Sequence, residues 1–190
     1  MKKQLGFYMD ASRCIGCFTC AMACKNQYHQ DSGVVWRDVY PLKEEIYPHA
    51  DRAFYSLACN HCENPVCAEC CPTKAYTRRE SDGVVVHDAG RCIGCGNCVR
   101  SCPYGAARYN PVTKKAEKCS LCWQRLDAGL KPACVQSCPT TALRLIDLVS
   151  FAETDAVQYP PGYPRATRLN PSTRFRAPRL PKVIKLEVQK

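Results

Sequence analysis

The chain has no apolar run approaching the ~20 residues that span a bilayer. Its best candidate, Ala142 to Phe151, is broken by Arg144 and Asp147, so no direct membrane span is expected. The opening residues bring Lys2 and Lys3 but neither a long apolar segment nor a small-residue cleavage site, so no export signal of its own is expected. Cytoplasmic residence and export as a passenger on a partner both fit that start. Acidic residues are also in deficit, 17 against 27 Lys and Arg, leaving a formal charge of +10 that invites a nucleic-acid or anionic-membrane reading. No set of side chains reads as a general acid, base and nucleophile, so no catalytic residue is expected.

Cysteine is in excess. At 17 of 190 residues it approaches the level at which covalent or coordinate bonds replace part of an apolar core. The stretch Cys92-Ile93-Gly94-Cys95-Gly96-Asn97-Cys98-Val99-Arg100-Ser101-Cys102-Pro103 carries the C-x2-C-x2-C-x3-C-P spacing of bacterial ferredoxins. In that run three thiolates wrap one cubane and the fourth ligates the neighbouring cluster. Cys14, Cys17, Cys20 and Cys24 repeat the spacing. Cys59, Cys62, Cys67, Cys71 and Pro72 repeat it with a longer second gap, and Cys119, Cys122, Cys134, Cys138 and Pro139 insert a loop. Sixteen of the 17 cysteines fall into these quartets, leaving Cys70. The reading is four [4Fe-4S] clusters with iron held through the sixteen cysteines.

Two other uses of cysteine fit poorly. Disulfide frameworks do not repeat C-x2-C-x2-C, and neighbours at that spacing bridge badly. A tetrahedral zinc site needs two C-x2-C pairs and leaves the third and fourth cysteines of each quartet unused.

Leu5 to Asp10 reads as a strand leading into the first quartet, Cys20 to Gln27 as the helix that follows, and Phe54 to Ala58 as the strand that delivers the second quartet. A short helix is expected around Val66 to Cys71. Ala75–Arg79 and Val84–His87 read as a hairpin about Ser81-Asp82-Gly83. Ala107–Tyr109 repeats that logic, returning through Lys115. Trp123 to Leu126 is expected to be helical and to stop at Gly129, and Ala142 to Ile146 to close the module as a strand. Between Tyr28 and Asp51 lies an insertion, with Val34-Val35-Trp36 and Val39-Tyr40 as strand pieces, Trp36 as packing, and His29 and His49 as solvated loop residues. Gly16 and Gly94 stand where a side chain would crowd the sulfide face of a cluster. Lys25 replaces the proline of the other quartets, which changes the exit direction of the chain. Arg125 and Lys131 are candidates for cations that raise a cluster's potential.

The expected fold class is α+β, with tandem or nested bacterial-ferredoxin-like modules organised around four [4Fe-4S] clusters. Residues 1–52 and 119–157 form an outer two-cluster module and 53–118 an inner one. The tail, 158–190, holds six of the 14 prolines together with Arg165, Arg168, Arg174, Arg176, Arg179, Lys182, Lys185 and Lys190. It is expected to be extended and to pack on a partner subunit, with Val183–Val188 as a strand for a sheet edge.

Several segments resemble the electron-transfer (beta) subunit of the dimethyl sulfoxide reductase family of molybdenum oxidoreductases. They are Gly6-Phe7-Tyr8-Met9-Asp10, Cys59-Asn60-His61-Cys62-Glu63-Asn64-Pro65, Cys102-Pro103-Tyr104-Gly105-Ala106, Gly129-Leu130-Lys131-Pro132-Ala133-Cys134 and the tail from Pro164-Arg165 to Pro181-Lys182-Val183-Ile184-Lys185. The resemblance implies the ligand sets: Cys14, Cys17, Cys20 and Cys138 for cluster 1; Cys119, Cys122, Cys134 and Cys24 for cluster 2; Cys59, Cys62, Cys67 and Cys102 for cluster 3; Cys92, Cys95, Cys98 and Cys71 for cluster 4. Some relatives lack one cysteine of the third quartet, whereas Cys95 and its fellows are all present here, so four cubanes are expected.

The resemblance also implies a non-catalytic relay in anaerobic respiration. Its partners would be a molybdopterin catalytic subunit, with molybdenum or tungsten, and a membrane anchor that exchanges electrons with quinol or quinone. The complex would then be membrane-associated through those partners, and this chain either cytoplasmic or co-exported with the catalytic subunit. One alternative is the same relay in a soluble cytoplasmic molybdenum or tungsten enzyme. A more distant one is a zinc-organised nucleic-acid-binding protein, disfavoured because the tail lacks paired aromatics for base stacking. A loaded cluster with four thiolates carries about −2, so four would bring the protein near +2 and make much of the basic excess internal compensation.

Overall fold

The structure is a computed structural model that describes residues 2–41 and 53–178. The chain runs β1 (Leu5–Asp10), α1 (Thr19–Gln27), β2 (Asp38–Pro41), β3 (Phe54–Leu57), α2 (Val66–Glu69), β4 (Tyr76–Arg78), β5 (Val85–His87), α3 (Asn97–Ser101), β6 (Arg108–Asn110), β7 (Lys115–Glu117), α4 (Trp123–Asp127), α5 (Ala133–Gln136), β8 (Leu143–Asp147), a 3-10 turn (Thr167–Leu169) and β9 (Arg174–Arg176). Elements this short have little stability of their own, because a helix nucleus costs more than one turn returns. Tertiary contacts and the thiol-rich interior must hold them.

β1 is the centre of a three-stranded sheet ordered β8-β1-β9. Both its faces are buried from Gly6 onward, and both its edges are paired, antiparallel to β8 (Leu5 opposite Asp147, Met9 opposite Leu143) and parallel to β9 (Tyr8 opposite Arg174, Asp10 opposite Arg176). Gly6 is required there, since a Cβ at that position would lie 1.9 Å from the Ser172 carbonyl oxygen. The other strands form three antiparallel pairs, β2–β3, β4–β5 and β6–β7. The last two are the expected hairpins, and Gly83 closes the first of them in the left-handed region, with φ of 73°. Helix α1 packs against α5, and α2 against α3. The N-terminal quartet is thereby brought to the C-terminal one, and the second to the third.

The core follows the same division. The larger part combines Phe7, Met9, Val39, Tyr55, Leu121, Leu143 and Phe175 with Cys20, Cys59, Cys119 and Cys134. The smaller gathers Tyr76, Val85, Cys98, Ala107 and Ala116. In both, thiols occupy positions that aliphatic side chains fill in an ordinary domain.

Two expectations need correction. The insertion forms β2 over the Val39-Tyr40 piece, but Val34-Val35-Trp36 is not a strand; Val34 is buried in a turn, its N–H donating to the Asp31 carbonyl at 3.1 Å. Lys25 does more than redirect the chain. It lets α1 continue past Cys24 to Gln27, and its ammonium donates to the carbonyls of Asp31 (2.9 Å) and Val34 (3.3 Å), holding the insertion loop down.

As far as residue 178 the tail packs on its own chain: Tyr163, Leu169 and Phe175 are buried, and β9 joins the central sheet. Tyr163 stacks on Tyr104 with centroids 5.3 Å apart, and Phe175 meets Tyr55 edge-on at 5.5 Å. These three apolar residues are spaced too widely to show either period, and each full burial of such a side chain is worth about 1.5–3 kcal/mol. The Val183–Val188 strand, Arg179, Lys182, Lys185, Lys190 and His49 lie outside the described residues.

Candidate functional site

Each quartet is built on one local plan. The second residue after its first cysteine is left-handed in every case: Gly16 (φ 69°), His61 (44°), Gly94 (73°) and Leu121 (55°). This bend turns backbone N–H groups back towards sulfur. His61 N–H lies 3.5 Å from Cys59 Sγ, and Leu121 N–H lies 3.4 Å from Cys119 Sγ. The third cysteine then falls on the second residue of a helix in all four cases, Cys20 in α1, Cys67 in α2, Cys98 in α3 and Cys134 in α5. That position lies at the positive end of the helix dipole, where a thiolate is favoured. After Cys71, Cys102 and Cys138, the third residue on is again left-handed, at Lys74, Gly105 and Thr141, and Ala75 N–H donates to Cys71 Sγ at 3.3 Å.

The two glycines are also required by neighbouring protein atoms. A side chain at Gly16 would strike the Phe54 ring at 2.7 Å and one at Gly94 the Lys114 carbonyl at 2.1 Å. The bend itself tolerates His61 and Leu121, both wholly buried.

Tertiary packing gathers the cysteines into four groups. Cys14, Cys17, Cys20 and Cys138 line one hollow, and Cys71, Cys92, Cys95 and Cys98 line another. Cys24, Cys119, Cys122 and Cys134 are mutual neighbours: burial pushes the Cys24 thiol up to about 12, with Cys134 and Cys122 adding to the rise and Arg37 opposing it. Cys59, Cys67 and Cys102 surround Cys62 in the same way, and burial leads the upward shift of Cys62. The groups also lie within electrostatic reach of one another in series. Cys20 of the first neighbours Cys134 of the second, Cys119 of the second neighbours Cys59 of the third, and Cys67 of the third neighbours Cys98 of the fourth.

This donor set suits iron–sulfur clusters better than mononuclear metal. Among the described residues, no three His, Cys, Asp or Glu side chains converge closely enough to hold a single ion. Thiols instead stand in groups of four, with backbone N–H groups aimed at sulfur, as cluster thiolates require. The distribution of exposure is uneven along the series. Cys17 in the first group and Cys95 in the fourth are exposed, while Cys24, Cys119, Cys122 and Cys134 of the second are buried.

Side-chain hydroxyls lie beside each group, and none was evident from the motifs. Ser56 Oγ is 3.2 Å from Cys20 Sγ. The Tyr28 hydroxyl faces Cys122 while accepting from Ser120 Oγ at 2.6 Å. Tyr76 faces Cys98, and buried Tyr104 sits beside Cys62. His61 accepts the Val85 N–H on Nδ1 at 3.1 Å, which leaves its proton on Nε2, and burial holds the ring well below its ordinary pKa. Two cations are buried with them, Arg37 and Lys118. Lys118 Nζ rests on the carbonyls of Val85 and Cys119. A buried cation without a counter-charge costs several kcal/mol, so both report a strongly negative interior.

The residues expected to supply such cations do something else. Arg125 binds the Lys131 carbonyl (2.9 Å), Gln27 Oε1 (3.2 Å) and Gln136 Oε1, tying α4 to α1 and α5, and Lys131 is exposed. His29 is exposed, in keeping with a solvated loop, and Trp36 packs on Tyr28 at 4.7 Å and donates to Glu117. Cys70 points its thiol at the Cys67 carbonyl, 3.8 Å away, and lies near Cys98.

Residues 50–148 match the family model of the 4Fe-4S dicluster domain. The chain is 43% identical over 151 residues to the beta chain of the anaerobic dimethyl sulfoxide reductase of Escherichia coli (strain K12), covering 75% of this chain and 73% of that one. It is 43% identical over 139 residues to the beta subunit of the tetrathionate reductase of Salmonella typhimurium, covering 72% and 55% of the two chains. To the thiosulfate reductase electron transfer subunit of Salmonella typhi it is 41% identical over 138 residues, or 71% of each.

Proposed function

The chain belongs to the iron–sulfur electron-transfer subunits of the dimethyl sulfoxide reductase family, and on that premise we propose that it is a four-cluster wire between a molybdopterin catalytic subunit and a membrane quinol or quinone subunit. It is a non-catalytic subunit of a reductase complex, as its relatives are. [4Fe-4S] clusters supply one-electron chemistry with little rearrangement, at potentials of roughly −700 to +450 mV set by hydrogen bonds, charge and exposure.

The observation that carries the reading is the serial order of the four thiol groups, exposed at Cys17 and Cys95, with the second group buried and the third half-buried between them. In this proposal Cys14, Cys17, Cys20 and Cys138 hold the first cluster, Cys24, Cys119, Cys122 and Cys134 the second, Cys59, Cys62, Cys67 and Cys102 the third, and Cys71, Cys92, Cys95 and Cys98 the fourth. The outer module is 1–52 with 119–157, the inner 53–118. Apolar side chains exposed beside each end, Ile15, Phe18 and Met22 at one and Ile93, Tyr109 and Val112 at the other, suit docking of the two partners. Among the described residues no helix is long and apolar enough to cross a membrane, so in this reading membrane attachment falls to a partner.

The test is elemental analysis of the complex recovered anaerobically through a tag on this chain. About sixteen irons per copy, or slightly more, with molybdenum or tungsten near one is the expected result. Zinc in place of iron overturns the reading. Iron without either heavy metal moves the catalytic partner elsewhere.

A further inference from the structure

Arg37 is the least expected residue of the interior. It comes from the insertion between the first and second quartets, is 1% exposed, and lies with its guanidinium 4.3 Å over the Phe7 ring. One terminal nitrogen donates to the Ser56 carbonyl at 3.2 Å and to Ser56 Oγ at 3.0 Å, whereas Nε and the other terminal nitrogen have no partner among the described residues. No carboxylate among the described residues pairs with it. Its charged neighbours are the thiols of Cys134, Cys119, Cys20 and Cys24, three from the second group and one from the first.

The hydrogen bonds have a fixed direction. Arginine only donates, so Ser56 Oγ accepts from Arg37 and its own proton is left for Cys20 Sγ, 3.2 Å away. On its other side the guanidinium has Cys134 within electrostatic range. A single positive charge therefore stands between two thiol groups, linked to the first through Ser56 and acting on the second through space.

We propose that Arg37 is the positioning residue that sets the reduction potentials of the first two clusters, holding both above the value their thiolates alone would give and the second above the first. The inference rests on the four-cluster reading. One electron arriving from the neighbouring cluster adds one negative charge beside the guanidinium, with no bond made or broken and no proton required. A cation held at this distance in a dry interior stabilises the reduced form, by an amount on the order of tenfold or more in the reduced-to-oxidised ratio.

The experiment is an anaerobic redox titration followed by EPR, with iron counted in the same samples, on the wild-type complex and on Arg37→Met, Arg37→Lys and Arg125→Met. Arg37→Met, of similar length but neutral, is expected to keep its iron and to lower the reduced fraction of two of the four signals at least tenfold at a fixed poise, which is about 59 mV for a one-electron couple. Arg37→Lys is expected to restore most of that shift and Arg125→Met to cause none. If Arg37→Met fails to load iron, the comparison moves to Arg37→Lys: full iron with unshifted signals supports the charge, and the same iron loss as Arg37→Met overturns it in favour of a guanidinium needed only for packing. Full iron and unshifted potentials in Arg37→Met also overturn it. A wild-type complex without about sixteen irons fails the four-cluster reading instead, so the two failures are distinguishable.

Discussion

The Asn60 carboxamide donates to the Tyr163 hydroxyl at 2.7 Å, joining residues 103 positions apart. Asn60 lies between Cys59 and Cys62, and Tyr163 belongs to the proline- and arginine-rich tail. Around this bond, Ser172 donates its N–H to the Asn60 carbonyl (2.9 Å) and its hydroxyl to the His61 carbonyl (2.8 Å). Glu63 and Asn64 donate their N–H groups to Asn170 (3.0 Å) and Leu169 (3.2 Å). The tail thus clamps the loop that carries the first two cysteines of the second quartet.

A double-mutant cycle on Asn60→Ala and Tyr163→Phe is expected to give a coupling on the order of 1 kcal/mol in anaerobic denaturant unfolding. Additive single effects would mean that the bond contributes nothing to the clamp.

Removing residues 158–190 strips Tyr163, Leu169 and Phe175 from the core and frees that loop. About a quarter of the iron, the share of the group Cys59, Cys62, Cys67 and Cys102, is expected to be lost. Retention of all iron in the truncated chain would show that the clamp is dispensable for loading.

Gly6→Ala places a methyl 1.9 Å from the Ser172 carbonyl oxygen, and both atoms belong to backbone that cannot swing away. A loss of about 1–3 kcal/mol is expected, read as a lower denaturant midpoint. A midpoint equal to wild type would exclude close approach of the tail to β1.

Cys70→Ser is expected to leave all iron in place, because Cys70 points at a backbone carbonyl. Cys71→Ser is expected to lose the signal of the cluster assigned to Cys92, Cys95 and Cys98. EPR of the two variants giving the opposite pattern would reverse the assignment and place Cys70 in the ligand set.

Chelation of iron under an oxidant is expected to collapse the fold rather than leave a folded iron-free chain. The helices run from four to nine residues, too short to persist alone, and the core counts cysteines among its members. Far-UV circular dichroism retaining most of its helical signal after chelation would show that the apolar core suffices.

Much of the architecture was legible because the motif prescribes it. Cysteine spacing implied the four quartets, Asp82-Gly83 marked the first hairpin, and the strand read at Leu5 to Asp10 became β1 with those bounds. Where the reading failed, the determinant was remote in sequence. Leu169 and Phe175 have no period, so nothing local distinguishes them from a solvated tail, and nothing in the insertion around Arg37 marks that residue as buried.

By itself the sequence determined the chemistry. Thiolates at these intervals suit iron–sulfur clusters and little else, since ligand spacing is a local property that the backbone enforces within one loop and one helical turn. Tertiary structure alone decided the surroundings: the serial order of the four groups, the hydroxyls beside their sulfurs, the clamp of the tail on the Cys59–Cys62 loop, and the burial of Arg37 between two groups. These depend on which distant segments exclude water together. Charge and hydrogen bonding act through space, so the residues best placed to tune the clusters carry no mark of that role in the chain.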